Sequence, residues 1–328
     1  MWPSETAAWF ARRTSSARDW PAPDALAAKG DSRISVVLPA RDEAETIGGI
    51  VRSIRESLMD QFPLVDELVV IDSRSSDDTA LVATSAGALV VAQDEILADL
   101  PPLWGKGEAL WKSLAVTSGD VIVFIDSDIR NFAPHFVTGL LGPILADPTV
   151  SYVKACYDRP LTEHGTVSPC EGGRVTEILA RPLINMCWPE LSGILQPLAG
   201  EYAGRRSLLE NVPFVCGYGV EIGLLIDIVN LVGLDGIAQV DLGVREHANQ
   251  SSAALGRMSG QILDTVWTRL YRRGLITRQE PPSTELAQFT RTAVGYRPNH
   301  HDIRVTERPP MADVLATRPS SLAPEGEL

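Results

Sequence analysis

Short apolar runs separated by segments of helical period set the rhythm of the chain from Arg33 to about residue 155. Ile34–Leu38, Glu67–Ile71, Ala88–Val91 and Val121–Ile125 are compact Val/Ile/Leu/Phe runs of the kind buried on both faces, and they predict four strands. Between the first two, Ile47, Ile50, Val51, Ile54 and Leu58 recur at helical spacing, which gives that segment one face to lay on a sheet. Ser75-Ser76-Asp77-Asp78 supplies hydroxyls and carboxylates that satisfy free amides, so it starts the next helix. Strand alternating with helix predicts an α/β fold with a parallel sheet covered on both faces.

Beyond residue 155 the rhythm loosens. Helices are predicted over Val175–Cys187, Val220–Leu231 and Ala253–Arg272, and a short strand over Ala238–Asp241. The first thirty residues and those after Arg273 are rich in Pro, Ser, Thr and charge without sustained periodicity, so they read as arms. The expected division is an N-terminal arm (1–30), a first half (31–155), a smaller second half (156–272) and a partly irregular extension (273–328).

Composition narrows the classes. A chain of 328 residues that is 45% hydrophobic can bury a substantial core. Its net charge of −13 repels nucleic acid and anionic membranes, so any phosphate site must be built locally. Cys156, Cys170, Cys187 and Cys216 form no CxxC pair, against a zinc knuckle or a disulfide framework. No stretch reaches the ~20 apolar residues of a membrane span, and the first residues lack the basic-then-apolar layout of a secretory signal. Ile222–Val232, the most apolar segment, is interrupted by Asp227. These features predict a cytoplasmic protein.

The candidate chemistry lies at strand ends and helix starts. Val121–Ile125 runs straight into Asp126-Ser127-Asp128, which puts two carboxylates on one side at the carboxyl end of a buried strand, where open α/β sheets bind ligands. They either hold a hard divalent cation completed by a diphosphate or cap the following helix. The first strand ends in Leu38-Pro39-Ala40-Arg41-Asp42-Glu43, not in the GxGxxG turn of a dinucleotide enzyme. Lys106 between two glycines is either a phosphate-binding ammonium or a solvated loop lysine. Glu43 suits a ligand or a helix dipole, and Ser73 and Ser75 suit a ligand or a turn. Gly173 and Arg174 at a helix start bring amides, a dipole and a guanidinium to one anion, with Thr176 as a further donor and Glu177 as a helix-start carboxylate; the alternative is a capped helix with a surface arginine. Glu221 opens an apolar helix behind Gly217-Tyr218-Gly219, as a ligand contact or a dipole partner, and His247 follows a strand as a candidate ligand or a structural histidine. His135, after Pro134 at a helix start, reads as structural.

Several blocks occur together and in order. Val36-Val37-Leu38-Pro39-Ala40 with Glu43, Ile71-Asp72-Ser73 with Ser75 and Asp77-Asp78-Thr79, and Phe124-Ile125-Asp126-Ser127-Asp128 resemble the nucleotide-binding half of a GT-A glycosyltransferase. Gly105–Trp111, Gly172–Glu177, Leu195–Tyr202 and Gly217–Gly223 are similar to the actinobacterial glucosyl-3-phosphoglycerate synthases, over about residues 33–270. The resemblance implies a Rossmann-like nucleotide-sugar-binding half fused to a smaller acceptor-binding half. It implies Pro39, Glu43, Ser73, Lys106, Asp126 and Ser127 at the sugar nucleotide, and Gly173, Arg174 and Thr176 at the acceptor. Asp128 and His247 would hold Mg2+ or Mn2+, and the Leu198 carbonyl and Glu221 would stand at the reacting centre. The implied reaction is retaining transfer of glucose, from UDP-glucose, to the 2-hydroxyl of 3-phosphoglycerate by a homodimer. Mannosyl transfer from GDP-mannose, a sugar-nucleotide pyrophosphorylase and a non-catalytic nucleotide-binding protein are the alternatives.

Overall fold

The computed structural model describes residues 4–159, 161–163, 166–168, 173–246, 251–277 and 282–318. The chain runs through α1 (Ser4–Arg13), β1 (Thr14–Ser16), α2 (Ala22–Lys29), β2 (Ile34–Ala40), α3 (Ile47–Ile54), β3 (Glu67–Asp72) and α4 (Thr79–Ala86). Next come β4 (Leu89–Ala92), α5 (Lys106–Ser113), β5 (Val121–Phe124), α6 (His135–Ala146), β6 (Tyr152–Asp158), β7 (Leu161–Glu163) and β8 (Thr166–Ser168). The second half holds α7 (Arg181–Cys187), β9 (Tyr202–Arg205), α8 (Arg206–Leu209), β10 (Phe214–Val215), α9 (Val220–Val232), β11 (Ile237–Val244) and α10 (Ser252–Arg272). The chain then forms β12 (Glu285–Thr292), β13 (Gly295–Asp302), β14 (Glu307–Arg308) and α11 (Met311–Ala316).

Eight strands form one sheet in the order β1-β11-β6-β9-β5-β2-β3-β4. Successive residues of each central strand enter opposite layers, as the pleat requires. Val36, Leu38, Val121 and Val123 pack with Ile50, Ile54, Phe136 and Leu140 on one side. Val37, Ile122 and Phe124 pack with Leu110, Trp111, Leu224 and Ile228 on the other. Both faces are covered, which is why these strands read as unbroken apolar runs.

Two expectations about the sheet are corrected. It is mixed and not wholly parallel, because β9 runs antiparallel to both β5 and β6, pairing Ile122 with Gly204 and Val153 with Ala203. Its sequence, Tyr-Ala-Gly-Arg, carries no apolar run to announce a central strand. The Ala88–Val91 run is the edge strand β4, with Leu89 60% exposed and not buried on both faces.

The terminal segments also differ from the arms expected. Within the first thirty residues, β1 pairs in parallel with β11, and Trp9 is buried with its indole donating to the Ile237 carbonyl at 2.8 Å. After Arg273, β12 and β13 form a hairpin, while β14 joins β10. Arg308 of β14 makes a two-pronged pair with Glu108 of α5, both bonds 2.7 Å, and Met311 is buried. Glu108 is buried, and its charge is matched by a residue 200 positions further along the chain. Such a pairing leaves no trace in local periodicity.

Candidate active site

A cavity of about 410 Å3 opens at the carboxyl ends of the central strands, where parallel strands and helix starts converge. Pro39, Glu43 and Ser73 line it from the ends of β2 and β3, Asp126, Ser127 and Asp128 from the end of β5, and Lys106, Gly173, Arg174, Thr176, Leu198 and Glu221 from the second half and α5. Every residue the resemblance assigns to the site lines this one cavity except His247, which lies outside the described residues, while Ser75 stays in its turn, accepting from the Asp42 amide at 3.1 Å.

The acidic floor is fixed by cations. Arg245, just past β11 and almost fully buried, donates from Nη2 to Asp126 Oδ2 at 3.0 Å and Asp128 Oδ1 at 2.7 Å, and from Nε to Glu201 Oε1 at 2.8 Å. Lys106 Nζ pairs with Asp126 and, at 3.0 Å, with Glu221 Oε1. Lys106 is the first residue of α5 and is paired with two carboxylates, which counts against the alternative of a solvated loop lysine. Gly105 before it has φ of 105°, a backbone that glycine supplies at little cost.

These cations separate the two aspartates. Burial pushes the Asp126 carboxyl up, but Lys106 and Arg245 outweigh it and hold it at about 2. Burial and the neighbouring Asp126 raise Asp128 despite Arg245. Among the described residues no donor reaches Asp128 Oδ2, so that oxygen is open to the cavity. Glu43 is pushed up to about 7 by burial and by the charge of Asp128.

The Glu43 shift has a definite consequence for metal-free protein. A carboxyl raised in the folded state makes the wild type lose stability as pH climbs from about 4.5 to 7, because the native form must give up a proton the unfolded form has already lost. Glu43→Gln removes that term. It is expected to melt above wild type at pH 7.5 and to lose the advantage towards pH 4.5, which thermal melts in chelator across pH will measure.

Several smaller contacts set the walls. Ser127 Oγ donates to the Pro39 carbonyl at 2.9 Å, and Ser73 Oγ donates to Gln93 Oε1 at 2.9 Å, so each shapes the turn it sits in as well as lining the cavity. Gly173 has φ of 81°, and its carbonyl accepts from the Glu177 amide at 3.2 Å as the helix begins. Thr176 is buried in that first turn. Glu177 stands in the first turn, as expected of a helix-start carboxylate, and also pairs with Arg181 one turn on, at 2.8 Å. His135 is structural, its ring against the Leu242 carbonyl at 3.0 Å.

Gly200 is packed so closely on the floor that a Cβ there would overlap Asp126 Oδ2 and lie 2.6 Å from Lys106 Nζ. Gly200→Ala is expected to cut turnover by about 100-fold, the scale of a 1 Å displacement of positioned groups. Its melting temperature should change little, because the collision is with the cavity floor and not with the apolar core. Paired activity and melting measurements test this split.

Arg245, Glu201, Tyr157 and Arg159 were missed in the sequence. Tyr157 donates to Glu201 Oε2 at 2.6 Å, and Arg159 Nη2 donates to the Tyr157 hydroxyl at 2.6 Å. Arg159 and Arg245 just follow the carboxyl ends of β6 and β11, so the strand-end rule that selected Asp126 would have selected both.

Fold and site together define a GT-A glycosyltransferase: a Rossmann-like sheet whose fifth strand delivers an Asp-x-Asp pair to the cavity. The model of the family described as Glycosyl transferase family 2 matches residues 35–217. A glucosyl-3-phosphoglycerate synthase of Mycolicibacterium smegmatis is 46% identical over 303 residues, covering 92% of this chain and 97% of that protein. The crystal structure of glucosyl-3-phosphoglycerate synthase from Mycobacterium tuberculosis in complex with Mn2+, UDP and phosphoglyceric acid is 45% identical, with TM-score 0.79, covering 90% of this chain and 95% of that one. That of mannosyl-3-phosphoglycerate synthase from Rubrobacter xylanophilus is 38% identical, with TM-score 0.87, covering 96% and 99%. The chain belongs to glycosyl transferase family 2 and, within it, to the family of the glucosyl-3-phosphoglycerate synthases.

Proposed function

We propose that this chain transfers glucose from UDP-glucose to the 2-hydroxyl of 3-phosphoglycerate with retention at the anomeric carbon, releasing UDP and glucosyl-3-phosphoglycerate. The observation that carries the reading is one cavity holding an Asp-x-Asp floor at a strand end and, on its other wall, an anion-binding helix start at Gly173 and Arg174. Its likeness over nearly its whole length to a synthase of that name supports the choice of substrates.

Pro39, Glu43 and Ser73 bind the nucleoside, and Lys106, held by Asp126 and Glu221, faces the diphosphate. Gly173, Arg174 and Thr176 bind an anionic end of the acceptor. The donor set fits Mg2+ or Mn2+, because hard carboxylate oxygens line the floor and one of Asp128's is open; Mg2+ sites commonly take one or two carboxylates plus substrate phosphates. Among the described residues no three His, Cys, Asp or Glu side chains converge as a metal cage, and His247 is proposed as the second protein ligand. Held by Asp128 and His247, Mg2+ or Mn2+ would supply Lewis-acid neutralisation of the departing diphosphate. The Leu198 carbonyl and Glu221 position the sugar, and the acceptor proton passes to the leaving phosphate oxygen on the same face, so no protein nucleophile is needed.

Purified protein incubated with UDP-, GDP- and ADP-sugars, 3-phosphoglycerate and Mg2+ should give the glucosyl product from UDP-glucose by mass spectrometry. A mannosyl product from GDP-mannose alone would replace the donor assignment, a reading favoured by the Rubrobacter likeness. Nucleoside diphosphate release without 3-phosphoglycerate would remove the acceptor. A homodimer belongs to the same reading, with the partly exposed Leu263, Trp267 and Tyr271 of α10 as its supporting surface, and light scattering tests it. A cytoplasmic location also belongs to it; no helix among the described residues is long and apolar enough to cross a membrane.

A further inference from the structure

The charges lining the cavity are unevenly matched. Lys106 is shared by Asp126 and Glu221, and Arg245 by Asp126, Asp128 and Glu201. Arg74, at the nucleoside end, is held by Asp94 through two bonds of 2.6 and 2.7 Å. Arg159 differs. It lines the same cavity beside Arg174, yet among the described residues it forms no ion pair with a carboxylate. Among the described residues its side-chain hydrogen-bond partner is the neutral Tyr157 hydroxyl at 2.6 Å, with the guanidinium 5.0 Å from the centre of that ring.

Two features show that this guanidinium is held and not idle. The Tyr157 hydroxyl that receives it donates in turn to buried Glu201, which Arg245 holds from its other oxygen, so Arg159 is anchored by a chain running to the acidic floor. Its Nε is buried and has no hydrogen-bond partner among the described residues. A fixed guanidinium on a cavity wall, with no carboxylate paired to it among the described residues, is a site for a carboxylate or phosphate oxygen, because its fork matches those groups.

We propose that Arg159 binds the carboxylate of the acceptor, so that the enzyme reads the two anionic ends of a phosphorylated hydroxy acid with separate guanidiniums, Arg159 for the carboxylate and Arg174 for the phosphate. This rests on 3-phosphoglycerate as the acceptor. In that molecule the carboxylate is bonded directly to the carbon bearing the reacting hydroxyl. A cation on the carboxylate therefore orients the nucleophilic oxygen, while the phosphate, one carbon away on the other side, anchors the opposite end. Arg159 is thus a specificity residue as well as a binding one: it separates hydroxy acids from the corresponding alcohols.

The test compares two acceptors with UDP-glucose and Mg2+: 3-phosphoglycerate, and the glycerol phosphate of matching configuration, in which a hydroxymethyl group replaces the carboxylate. Activity of wild type with 3-phosphoglycerate comes first; without it the acceptor reading fails independently of Arg159. Wild type should prefer 3-phosphoglycerate in kcat/KM by about 10- to 100-fold, the worth of a charge-assisted bond. Equal use of both acceptors by wild type overturns the proposal with no variant needed. Arg159→Gln should lose about that factor on 3-phosphoglycerate, stay within about threefold of wild type on the alcohol, and keep its KM for UDP-glucose, whereas Arg174→Gln should lose on both acceptors. Arg159→Lys, which keeps the charge without the fork, should fall between wild type and Arg159→Gln on 3-phosphoglycerate. An equal loss by Arg159→Gln on both acceptors, a raised KM for UDP-glucose, or no change would each overturn the assignment.

Discussion

Asp128→Ala is expected to lower turnover by about three orders of magnitude or more while leaving the protein folded. Cation neutralisation of a departing diphosphate is worth several kcal/mol, and about 4 kcal/mol corresponds to about 1000-fold in rate. Stability should hold because burial already disfavours the Asp128 charge, and its removal relieves crowding with Asp126 and leaves the apolar layers untouched. A UDP-release assay titrated with Mn2+, together with a thermal melt, measures both halves of this result. Turnover within tenfold of wild type at low Mn2+ would take Asp128 out of the metal site.

Arg245→Met should have the opposite profile, a large loss of stability. The guanidinium is buried and serves Asp126, Asp128 and Glu201 together, so its removal leaves three carboxylates crowded without their common partner. Breaking a buried pair from one side costs about 3–5 kcal/mol. The deficit should shrink as pH falls towards 5, since carboxylates raised by their mutual repulsion take up protons in the folded state. It should also shrink on adding Mn2+ with UDP, which binds only the folded protein. Chemical denaturation at pH 7.5 and pH 5.5, with and without the pair, reads each effect. A midpoint unchanged at pH 7.5 would mean that the carboxylates are relieved by solvent and not by Arg245.

The contrast between these residues explains how far the site was legible in the sequence. Asp126 and Asp128 follow Val121–Ile125, and an apolar run that ends in charge is visible without any knowledge of the fold. Lys106 and Gly173 were marked by glycines with positive φ, a local need that composition betrays. Arg159 and Arg245 follow strand ends that the periodicity did not announce, β6 being unpredicted and β11 expected only to Asp241, and Glu201 has no local mark; they matter because β11, β9 and β6 bring their ends to the same floor, and neighbours in a sheet need not be neighbours in sequence. β9 itself was hidden because its pairing on both edges, and not its side chains, makes it a central strand. The β12–β13 hairpin was hidden for a related reason: Phe289 is 67% and Tyr296 71% exposed, and the half-buried positions are Leu286, Gln288, Asn299 and His301, so no apolar face alternates along either strand.

The pair between Glu108 and Arg308 also bears on how the protein is made. At about 5–20 residues per second, the ribosome takes about 10–40 s to travel the 200 residues between them. For that interval α5, whose first residue is Lys106, carries a carboxylate lacking its two-pronged partner, and β10 lacks β14. A product cut short before Arg308 therefore keeps a buried Glu108 whose remaining cation among the described residues is Lys112, one turn along α5 at 3.5 Å. Chains ending before Arg308 are expected to unfold more readily, and to be cut faster by protease, than the full chain.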